Sequence, residues 1–247
     1  MDNKTGLPSF SIVAMIPARY EASRFPGKLM QYLSGKTVIR HTYDATVSSE
    51  LFDEVVVATD SEIIFTEITA AGGKAVMSRN RHESGTDRIA EAVVDIPADI
   101  IVNVQGDTPF VKKEALQKLL SAFDDPDVQV ASLMQVITDE KEINDPNFVK
   151  VVVDKQMNSL YFSRSVVPYP RDKNTPVTYY EHIGIYAFRR AALMNFINWP
   201  VTFAEATEKI ECLRFLENGI PLRMVVVEYM GIEIDTPGDL EKASKLL

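Results

Sequence analysis

The chain has 247 residues, of which 46% are hydrophobic and 25% charged, and its formal net charge is -9. This composition suits a globular protein with a sizeable core in one or two domains. The acidic balance argues against general binding to nucleic acid or to anionic membranes, and no apolar run approaches the roughly 18 residues of a membrane span. A single cysteine, Cys212, excludes a disulfide within the chain. This fits a reducing compartment, so we expect a cytoplasmic protein.

The first half of the chain alternates strand-like and helix-like segments after residues 1–9, which we expect to be a loose tail. Short apolar runs are typical of strands buried in a parallel sheet: SIVAMI, EVVVATD, KAVMS, DIIVNVQGD and VQVASLMQV. The segments between them have the apolar spacing of helices: TVIRHTYDATVSS, SEIIFTEITAAGG, TDRIAEAVVDI and KKEALQKLLSAF. This order predicts an α/β fold over 10–138, with a mostly parallel sheet covered by helices.

The pattern changes after about Thr138, where strand-like segments follow one another: NFVKVVVD, SLYFSRSVVPYP and YYEHIGIYAFRR. An amphipathic helix is predicted for FAEATEKIECLRFLENG, a strand for LRMVVVEY and a last helix for TPGDLEKASKLL. We therefore predict a smaller, β-rich inserted region at 139–195, which we expect to be a substrate region. Residues 196–247 are predicted to return to the main domain.

The first strand is followed by a cluster of positive charge in MIPARYEASRFPGK, which contains Arg19, Arg24 and Lys28. Ligands of parallel α/β sheets bind beyond the carboxyl ends of the strands, where this loop lies. Two guanidinium groups and an ammonium group suit the oxygens of a phosphate chain. The alternative is an ordinary surface loop with solvated cations.

Two acidic residues follow strand-like runs, Asp107 in NVQGDTP and Asp235 in IEIDTPGDL. A carboxylate at the end of a strand suits a hard divalent cation that also binds phosphate oxygens. The alternative for Asp107 is a plain turn residue, since Gly-Asp is common in turns. Thr236 can cap the final helix.

Three further motifs each allow two interpretations. In HESGTDR, Ser84 and Gly85 precede a helix and either cap it or bind the polar edge of a ligand. In HIGIY, His182 and Tyr186 share one strand face, which meets either water or a sugar. In EKIECLR, Glu211 lies on a helix face that by default forms solvated salt bridges. With three histidines and no Cys/His cluster, the sequence argues against a zinc site.

In their order, these motifs resemble the CMP-KDO synthetases (3-deoxy-manno-octulosonate cytidylyltransferases) over nearly the whole chain. The matching segments are IPARYEASRFPGK, VVVATD, GGKAVMSRNRHESGTDR, IVNVQGDTP, YFSRSVVPYPR, HIGIYAFR and IDTPGDL. The resemblance implies a Rossmann-like nucleotide-diphospho-sugar transferase fold. It also implies a magnesium-dependent transfer of CMP from CTP to the anomeric hydroxyl of KDO, a homodimer built through the inserted region and a place in lipopolysaccharide synthesis.

The resemblance further implies a role for each matching residue. Nucleotide binding would involve Arg19, Arg24, Lys28, Ser84, Gly85, Arg88 and Gln105. The catalytic set would be Arg19, Lys28, Asp107 and Asp235, with Asp107 and Asp235 jointly holding magnesium. The sugar acid would be bound by Arg164, His182, Tyr186 and Glu211, with Arg164 the partner of its carboxylate.

The chain departs from the family pattern at Thr108, Cys212 and Glu233, where the family usually has Glu, Gln and Gly. It also departs at Leu29, where proline is common in the family. Cys212 lies beside Glu211, so the acceptor could instead be a modified KDO, such as an amino analogue, or another sugar acid. A non-catalytic nucleotide-binding protein is a further alternative, although such a protein need not keep both aspartates. A dinucleotide-dependent oxidoreductase is excluded because no GxGxxG follows SIVAMI.

Overall fold

The computed structural model describes residues 10–21, 25–80, 82, 84–172, 174–228 and 231–246. The predicted tail, 1–9, and the predicted phosphate ligand Arg24 lie outside the described residues. The chain forms two compact units. Unit 1 comprises residues up to 117 together with those from 230 onward, and unit 2 comprises 118–229.

The regular elements of the described residues are as follows. The strands are β1 (Ile12–Ala18), β2 (Tyr32–Leu33), β3 (Lys36–Thr37), β4 (Glu54–Thr59), β5 (Ala75–Met77), β6 (Ile100–Asn103), β7 (Val130–Ile137), β8 (Lys150–Val153), β9 (Ser159–Ser163), β10 (Tyr179–Arg189) and β11 (Arg223–Val226). The helices are α1 (Val38–Ser48), α2 (Glu62–Ala70), α3 (Gly85–Val93), α4 (Lys113–Ser121), α5 (Glu140–Asn144), α6 (Arg190–Asn198), α7 (Phe203–Glu208), α8 (Leu213–Glu217) and α9 (Pro237–Ala243). Short 3₁₀ turns lie at Lys28–Met30 and Ala122–Asp124.

Unit 1 is built on a parallel sheet with the strand order β6-β1-β4-β5. β1 is buried along its whole length, as its unbroken apolar run predicts for a strand covered on both faces. Helices α1 and α3 pack on β1 and β4, and α2 packs on β4 and β5. Because the strands are parallel, their carboxyl ends meet at one edge, where the loops that follow Ala18 and Asn103 lie side by side.

Unit 2 contains a mixed sheet with the order β11-β7-β10-β8-β9. β11 runs parallel to β7, and the other neighbouring strands are antiparallel. The pairing of β10 with β7 shifts between Ile183 and Tyr186, which marks a β-bulge. In β8, Lys150 lies between Glu181 of β10 and Ser163 of β9.

An aromatic cluster around Phe215 fills part of the core of unit 2. The ring centroids of Phe188, Phe196 and Trp199 lie 5.7, 4.8 and 6.0 Å from that of Phe215. The buried Arg214 stacks 3.9 Å above Phe196 and donates to both carboxylate oxygens of Glu205, at 2.7 and 2.5 Å. This ion pair ties α7 to α8.

The predicted fold class, α/β with a parallel sheet covered by helices and a second β-rich part, is confirmed. The prediction of one helix over FAEATEKIECLRFLENG is wrong, because α7 ends where Lys209 adopts a left-handed conformation with φ 56° and a turn precedes α8. The compact units also group the residues differently from the predicted division at 138 and 195. β7 pairs with β10 and therefore belongs to unit 2. The substrate and dimer roles of 139–195 stay a prediction.

Candidate active site

Lys28 joins the two aspartates that the sequence places far apart. Its Nζ donates to Asp107 Oδ2 at 2.5 Å and to Asp235 Oδ1 at 2.8 Å. The Lys28 side chain is 16% exposed, against 21% for Asp107 and 42% for Asp235. Asp107 is separated from Lys28 by 79 positions in the sequence and Asp235 by 207 positions, yet both carboxylates contact the same ammonium in unit 1.

The loop before Lys28 is closed by its own backbone. Gly27 N donates to the Tyr20 carbonyl at 3.0 Å, and Met30 N donates to the Gly27 carbonyl at 2.9 Å. Gly27 has φ 67°, a left-handed conformation that glycine adopts without strain. The turn that follows buries Leu29 and holds Lys28 at its first residue.

Asp107 lies near a strand end, whereas the strand-like run predicted before Asp235 is irregular in the structure. Asp107 follows β6 in a turn where Thr108 N and Oγ1 both donate to the Gln105 carbonyl, at 3.2 and 2.6 Å. Ile234 N donates to the Asp107 carbonyl at 3.0 Å, which brings the segment that contains Asp235 alongside. Thr108, a departure from the family pattern, therefore stabilises the turn that carries Asp107.

The charge of this group favours a protonated lysine. Burial lowers the pKa of Lys28, but the charges and hydrogen bonds of Asp107 and Asp235 outweigh it, so the pKa is raised above its usual value. Lys28 is therefore an ammonium at neutral pH, and two carboxylates face one positive charge.

A cavity of about 160 Å³ opens beside Lys28 in unit 1. Every described residue that the sequence assigns to the nucleotide lines it: Arg19, Lys28, Ser84, Gly85, Arg88 and Gln105. Asp107 lines it as well, together with Pro17, Ala18, Leu29, His82 and Gly106. The structure therefore brings these predicted residues to one place, while their roles toward a ligand stay predictions.

The amino end of α3 forms one wall of the cavity. Ser84 caps this helix, since its Oγ accepts from Asp87 N at 3.0 Å and donates to Asp87 Oδ2 at 2.8 Å. The predicted cap is thereby confirmed. Arg88 is 4% exposed and donates to Ser78 Oγ at 3.0 Å and to Asp60 Oδ2 at 2.8 Å, which fixes its guanidinium against the ends of β4 and β5.

Glycine at 106 is required by close packing. A Cβ atom there would lie 3.0 Å from the Pro17 carbonyl oxygen and 3.1 Å from Ile39 Cδ1. These separations are shorter than ordinary carbon contacts. Because Gly106 precedes Asp107, a larger residue would push the carboxylate away from Lys28.

The sequence analysis missed His82, which lines the cavity. Its Nε2 lies 3.0 Å from Glu91 Oε2, and the same carboxylate accepts from Arg79 N at 2.5 Å and from Asn80 Nδ2 at 2.7 Å. Burial raises the pKa of Glu91, but these donors outweigh it and the pKa is lowered. The sequence signal for His82 is its position in HESGTDR, two residues before Ser84.

In unit 2, His182 and Tyr186 come together as the sequence predicts. Their ring centroids are 5.3 Å apart, and Phe162 packs edge-on to His182 at 4.8 Å. Ser132 Oγ lies 2.9 Å from the Ile185 carbonyl and 3.0 Å from His182 Nε2. Because the carbonyl can only accept, Ser132 donates its single proton there and His182 Nε2 donates to Ser132. Burial lowers the pKa of His182 to about 3, so the ring is neutral with Nδ1 as its acceptor.

Arg164 is held by carbonyl groups. Its Nε donates to the Glu208 carbonyl at 2.7 Å, Nη1 to the Pro146 carbonyl at 2.8 Å and Nη2 to the Lys209 carbonyl at 3.4 Å. The Glu208 carboxylate accepts instead from the backbone N of Arg164 and from Ser163 Oγ. Each terminal nitrogen of the guanidinium keeps one further N–H beyond these bonds.

Glu211 and Cys212 lie in the turn between α7 and α8, not on a continuous helix face. Cys212 is buried, and its thiol is hydrogen-bonded to Tyr186. Burial raises the pKa of Cys212 well above its usual value, and the Glu211 charge adds to this rise. The predicted helix face is wrong, because Glu208 lies in α7 and Arg214 in α8, with Glu211 in the turn between them. Arg214 pairs with the buried Glu205, and the Glu208 carboxylate accepts from Arg164 N.

The donor set in unit 1 fits a divalent cation of the magnesium type. Two carboxylates already gather around one cation, and hard oxygen ligands are those that magnesium prefers. Within the described residues, no group of three or more His, Cys, Asp and Glu side chains could hold a metal ion.

Comparison with known proteins agrees with this arrangement. The sequence profile of the Cytidylyltransferase family matches residues 13–228. A 3-deoxy-manno-octulosonate cytidylyltransferase of Flavobacterium johnsoniae is 57% identical over 239 residues, which cover 96% of this chain and 98% of the relative. The chain belongs to the 3-deoxy-manno-octulosonate cytidylyltransferase family. Another member, from Christiangramia forsetii, is 55% identical over 96% of each chain.

Solved structures agree with the family assignment. A CMP:2-keto-3-deoxy-manno-octonic acid synthetase complexed with CTP superposes with a TM-score of 0.91 at 42% identity, over 96% of this chain and 98% of that chain. A 4-diphosphocytidyl-2C-methyl-D-erythritol synthase from Anaerococcus prevotii shares the fold, with a TM-score of 0.63 at 18% identity over 95% of this chain and 97% of that one.

In the part of the chain that the structure describes, no helix is long and apolar enough to cross a membrane.

Proposed function

We propose that this protein transfers the CMP group of CTP to the anomeric hydroxyl of KDO, giving CMP-KDO and pyrophosphate for lipopolysaccharide synthesis. The observation that supports this most is the cavity of unit 1. Six predicted nucleotide ligands line it, and one of them is the Lys28 ammonium that two aspartates hold. The names of the similar proteins agree with this substrate pair.

The proposed reaction needs alignment and charge neutralisation more than covalent help from the protein. A bond forms between the anomeric oxygen and the α-phosphorus of CTP, and the bond from that phosphorus to the pyrophosphate oxygen breaks. The hydroxyl proton is lost to solvent. The Arg19 guanidinium and the Lys28 ammonium line the cavity and would stabilise the negative charge of the phosphates.

Ser84, Gly85 and Gln105 would meet the nucleoside, and Arg88 would hold the wall beside them. The Ser84 hydroxyl already serves the helix cap, so we infer that this end of α3 contributes mainly backbone N–H groups. Gly85 permits the close approach, since a Cβ there would lie 3.2 Å from Pro17 Cγ.

Magnesium would be held by Asp107 and Asp235 together with phosphate oxygens. When bound, the ion would polarise the α-phosphate and lower the pKa of a coordinated hydroxyl. Two carboxylates at one position would favour a bound divalent cation there. The role of the chain is to keep both carboxylates beside the cavity.

The sugar acid would be recognised by Arg164, His182, Tyr186 and Glu211. Arg164 is suited to a carboxylate because its side chain donates to neutral carbonyls and keeps an N–H on each terminal nitrogen. The neutral His182 offers an acceptor at Nδ1 for a sugar hydroxyl.

We also propose that the protein is a homodimer of the cytoplasm. The edge strand β9 exposes Leu160 by 59% and Tyr161 by 41%, and an exposed apolar edge favours pairing with a second copy. The single, buried Cys212 fits a reducing compartment. Sedimentation at micromolar concentration would test the dimer, and a monomer would contradict it.

Pyrophosphate release tests the reaction. The protein is supplied with CTP, magnesium and one of several acceptors, namely KDO, its 8-amino analogue and other sugar acids, with UTP as the control nucleotide. We expect release with CTP and KDO together and none when either is omitted. Release with the amino analogue but not with KDO would assign the amino analogue as the acceptor. No release with any acid would refute an enzymatic function.

A further inference from the structure

Lys150 is a buried cation that none of the roles above uses. Its side chain is fully buried in β8, between Glu181 and Ser163 of the neighbouring strands. Lysine is almost never buried completely unless it is paired, because loss of hydration disfavours the ammonium. The contacts of the Lys150 ammonium should therefore show which part of the structure it stabilises.

The ammonium of Lys150 binds one turn of the chain. Its Nζ donates to the Asp145 carbonyl at 2.9 Å and to the Phe148 carbonyl at 2.6 Å. The turn closes on itself as well, since Asn147 N and Nδ2 both donate to Asp145 Oδ1, at 2.8 and 2.9 Å. Lys150 thus holds the two ends of the turn 145–148.

The middle of the same turn binds Arg164. The Pro146 carbonyl accepts from Arg164 Nη1 at 2.8 Å. Burial lowers the pKa of Lys150, the Asp145 charge opposes this, and the nearby Arg164 charge adds to it. Lys150 in β8 and Arg164, which directly follows β9, therefore hold one short turn through its carbonyl oxygens.

We propose that Lys150 is a positioning residue for recognition of the sugar acid: it fixes the turn 145–148, whose Pro146 carbonyl orients the Arg164 guanidinium toward the carboxylate of the substrate. This inference rests on the proposed function, in which Arg164 binds that carboxylate. Lys150 itself does not touch the sugar. Its removal should weaken binding of the acid and leave binding of CTP unchanged.

Steady-state kinetics with each substrate varied in turn test the proposal. For Lys150→Met we expect KM for KDO to rise about tenfold, because uniform binding is lost, while KM for CTP stays within about twofold. The matched control is Arg189→Leu, since Arg189 is another cation of unit 2 that donates to carbonyl groups, those of Val128, Phe123 and Asp125. The control should leave both KM values unchanged in folded protein.

A double-mutant cycle separates this inference from the proposed function. Arg164→Gln alone should raise KM for KDO, and Lys150→Met should add little in that background, because both act on one contact. An unchanged KM for KDO in Arg164→Gln would refute the sugar role of Arg164. The role of Lys150 would be overturned if KM for KDO rose in Arg164→Gln but stayed normal in Lys150→Met. It would also be overturned if the effects of the two substitutions were fully additive, or if Lys150→Met raised KM for KDO and KM for CTP equally.

A milder variant covers loss of folding in Lys150→Met. Asp145→Ala removes the acceptor of both Asn147 donors and loosens the turn without leaving a buried cation unpaired. We expect the same selective rise in KM for KDO, by about threefold. A KM for KDO that does not change in Asp145→Ala would count against the proposal as well.

Discussion

Lys28 in unit 1 is held in the opposite way from Lys150 and Arg164 in unit 2. In unit 1 the Lys28 ammonium is held by two carboxylates, whereas in unit 2 Lys150 and Arg164 donate through their side chains to neutral carbonyl oxygens. Two carboxylates around one position would suit an added metal ion. The Arg164 guanidinium keeps N–H groups that would suit an anionic acceptor. Under the proposed function, unit 1 would therefore take a metal–nucleotide and unit 2 an acid.

Removing either carboxylate of unit 1 should have the largest effect. We expect Asp107→Asn and Asp235→Asn each to lower kcat by about 1000-fold, since charge stabilisation of the transition state is lost. Pyrophosphate release at saturating substrates measures the effect. Asp44→Asn, which removes a surface partner of Lys36 and Arg40, is the control. A near-normal rate in Asp107→Asn or in Asp235→Asn would contradict the proposed role of the unit 1 carboxylates.

Unit 2 also contains a buried cation held by a carboxylate, Arg214, and the loss of this pair should affect stability rather than catalysis. Glu205→Gln removes a charge from the buried pair with Arg214 and should lower the free energy of unfolding by about 3–5 kcal/mol. Denaturant titration checks the value, and Glu217→Gln, an exposed acceptor for Ala204 N, is the control. A specific rise in KM for KDO without a loss of stability would contradict a structural role.

Replacing the lysine of unit 1 should expose the charge of the two carboxylates that it contacts. We expect Lys28→Met to lower kcat by about 100-fold, a loss typical of one electrostatic contact in the transition state. The variant should gain more thermal stability from magnesium than the unchanged protein does, because the Lys28 ammonium no longer neutralises Asp107 and Asp235. Thermal unfolding with and without magnesium measures this, and equal shifts in the two proteins would argue against a shared cation position.

The smallest expected effect is on the pH dependence of stability, and it arises from the neutral imidazole ring of His182 in unit 2. Because burial lowers the pKa of His182 to about 3, the unfolded chain binds a proton there that the folded chain does not, over the interval from about pH 6.5 down to 3. Stability should therefore decrease as the pH falls through this interval, and His182→Asn should reduce the slope. Urea titrations at several pH values measure it. Identical slopes would show that His182 titrates normally in the folded state.

Residues at the ends of strands were the part of the site that the sequence could predict. Arg19 and Asp107 follow buried runs whose parallel arrangement brings their ends together, so their convergence follows from topology. The lysine–aspartate contacts could not be predicted, because they depend on how the loop closed by Gly27 folds back toward Asp235.

Lys150 and Lys209 show why other features escaped prediction. A lysine that begins a strand is expected at the surface, and Lys150 is buried only because β8 is paired on both sides. Helix propensity favours lysine within a helix, yet Lys209 adopts the left-handed conformation that ends α7. Tertiary contacts override local preference in both cases, and they cannot be read from one sequence.

The packing of Trp199 against Phe215 has a practical consequence. It is the only tryptophan of the chain, and it lies within unit 2. Its fluorescence emission therefore follows the melting of that unit alone, whereas far-ultraviolet circular dichroism follows the helices of both. Recording the two signals on one sample would tell whether the halves of the enzyme unfold in a single cooperative event.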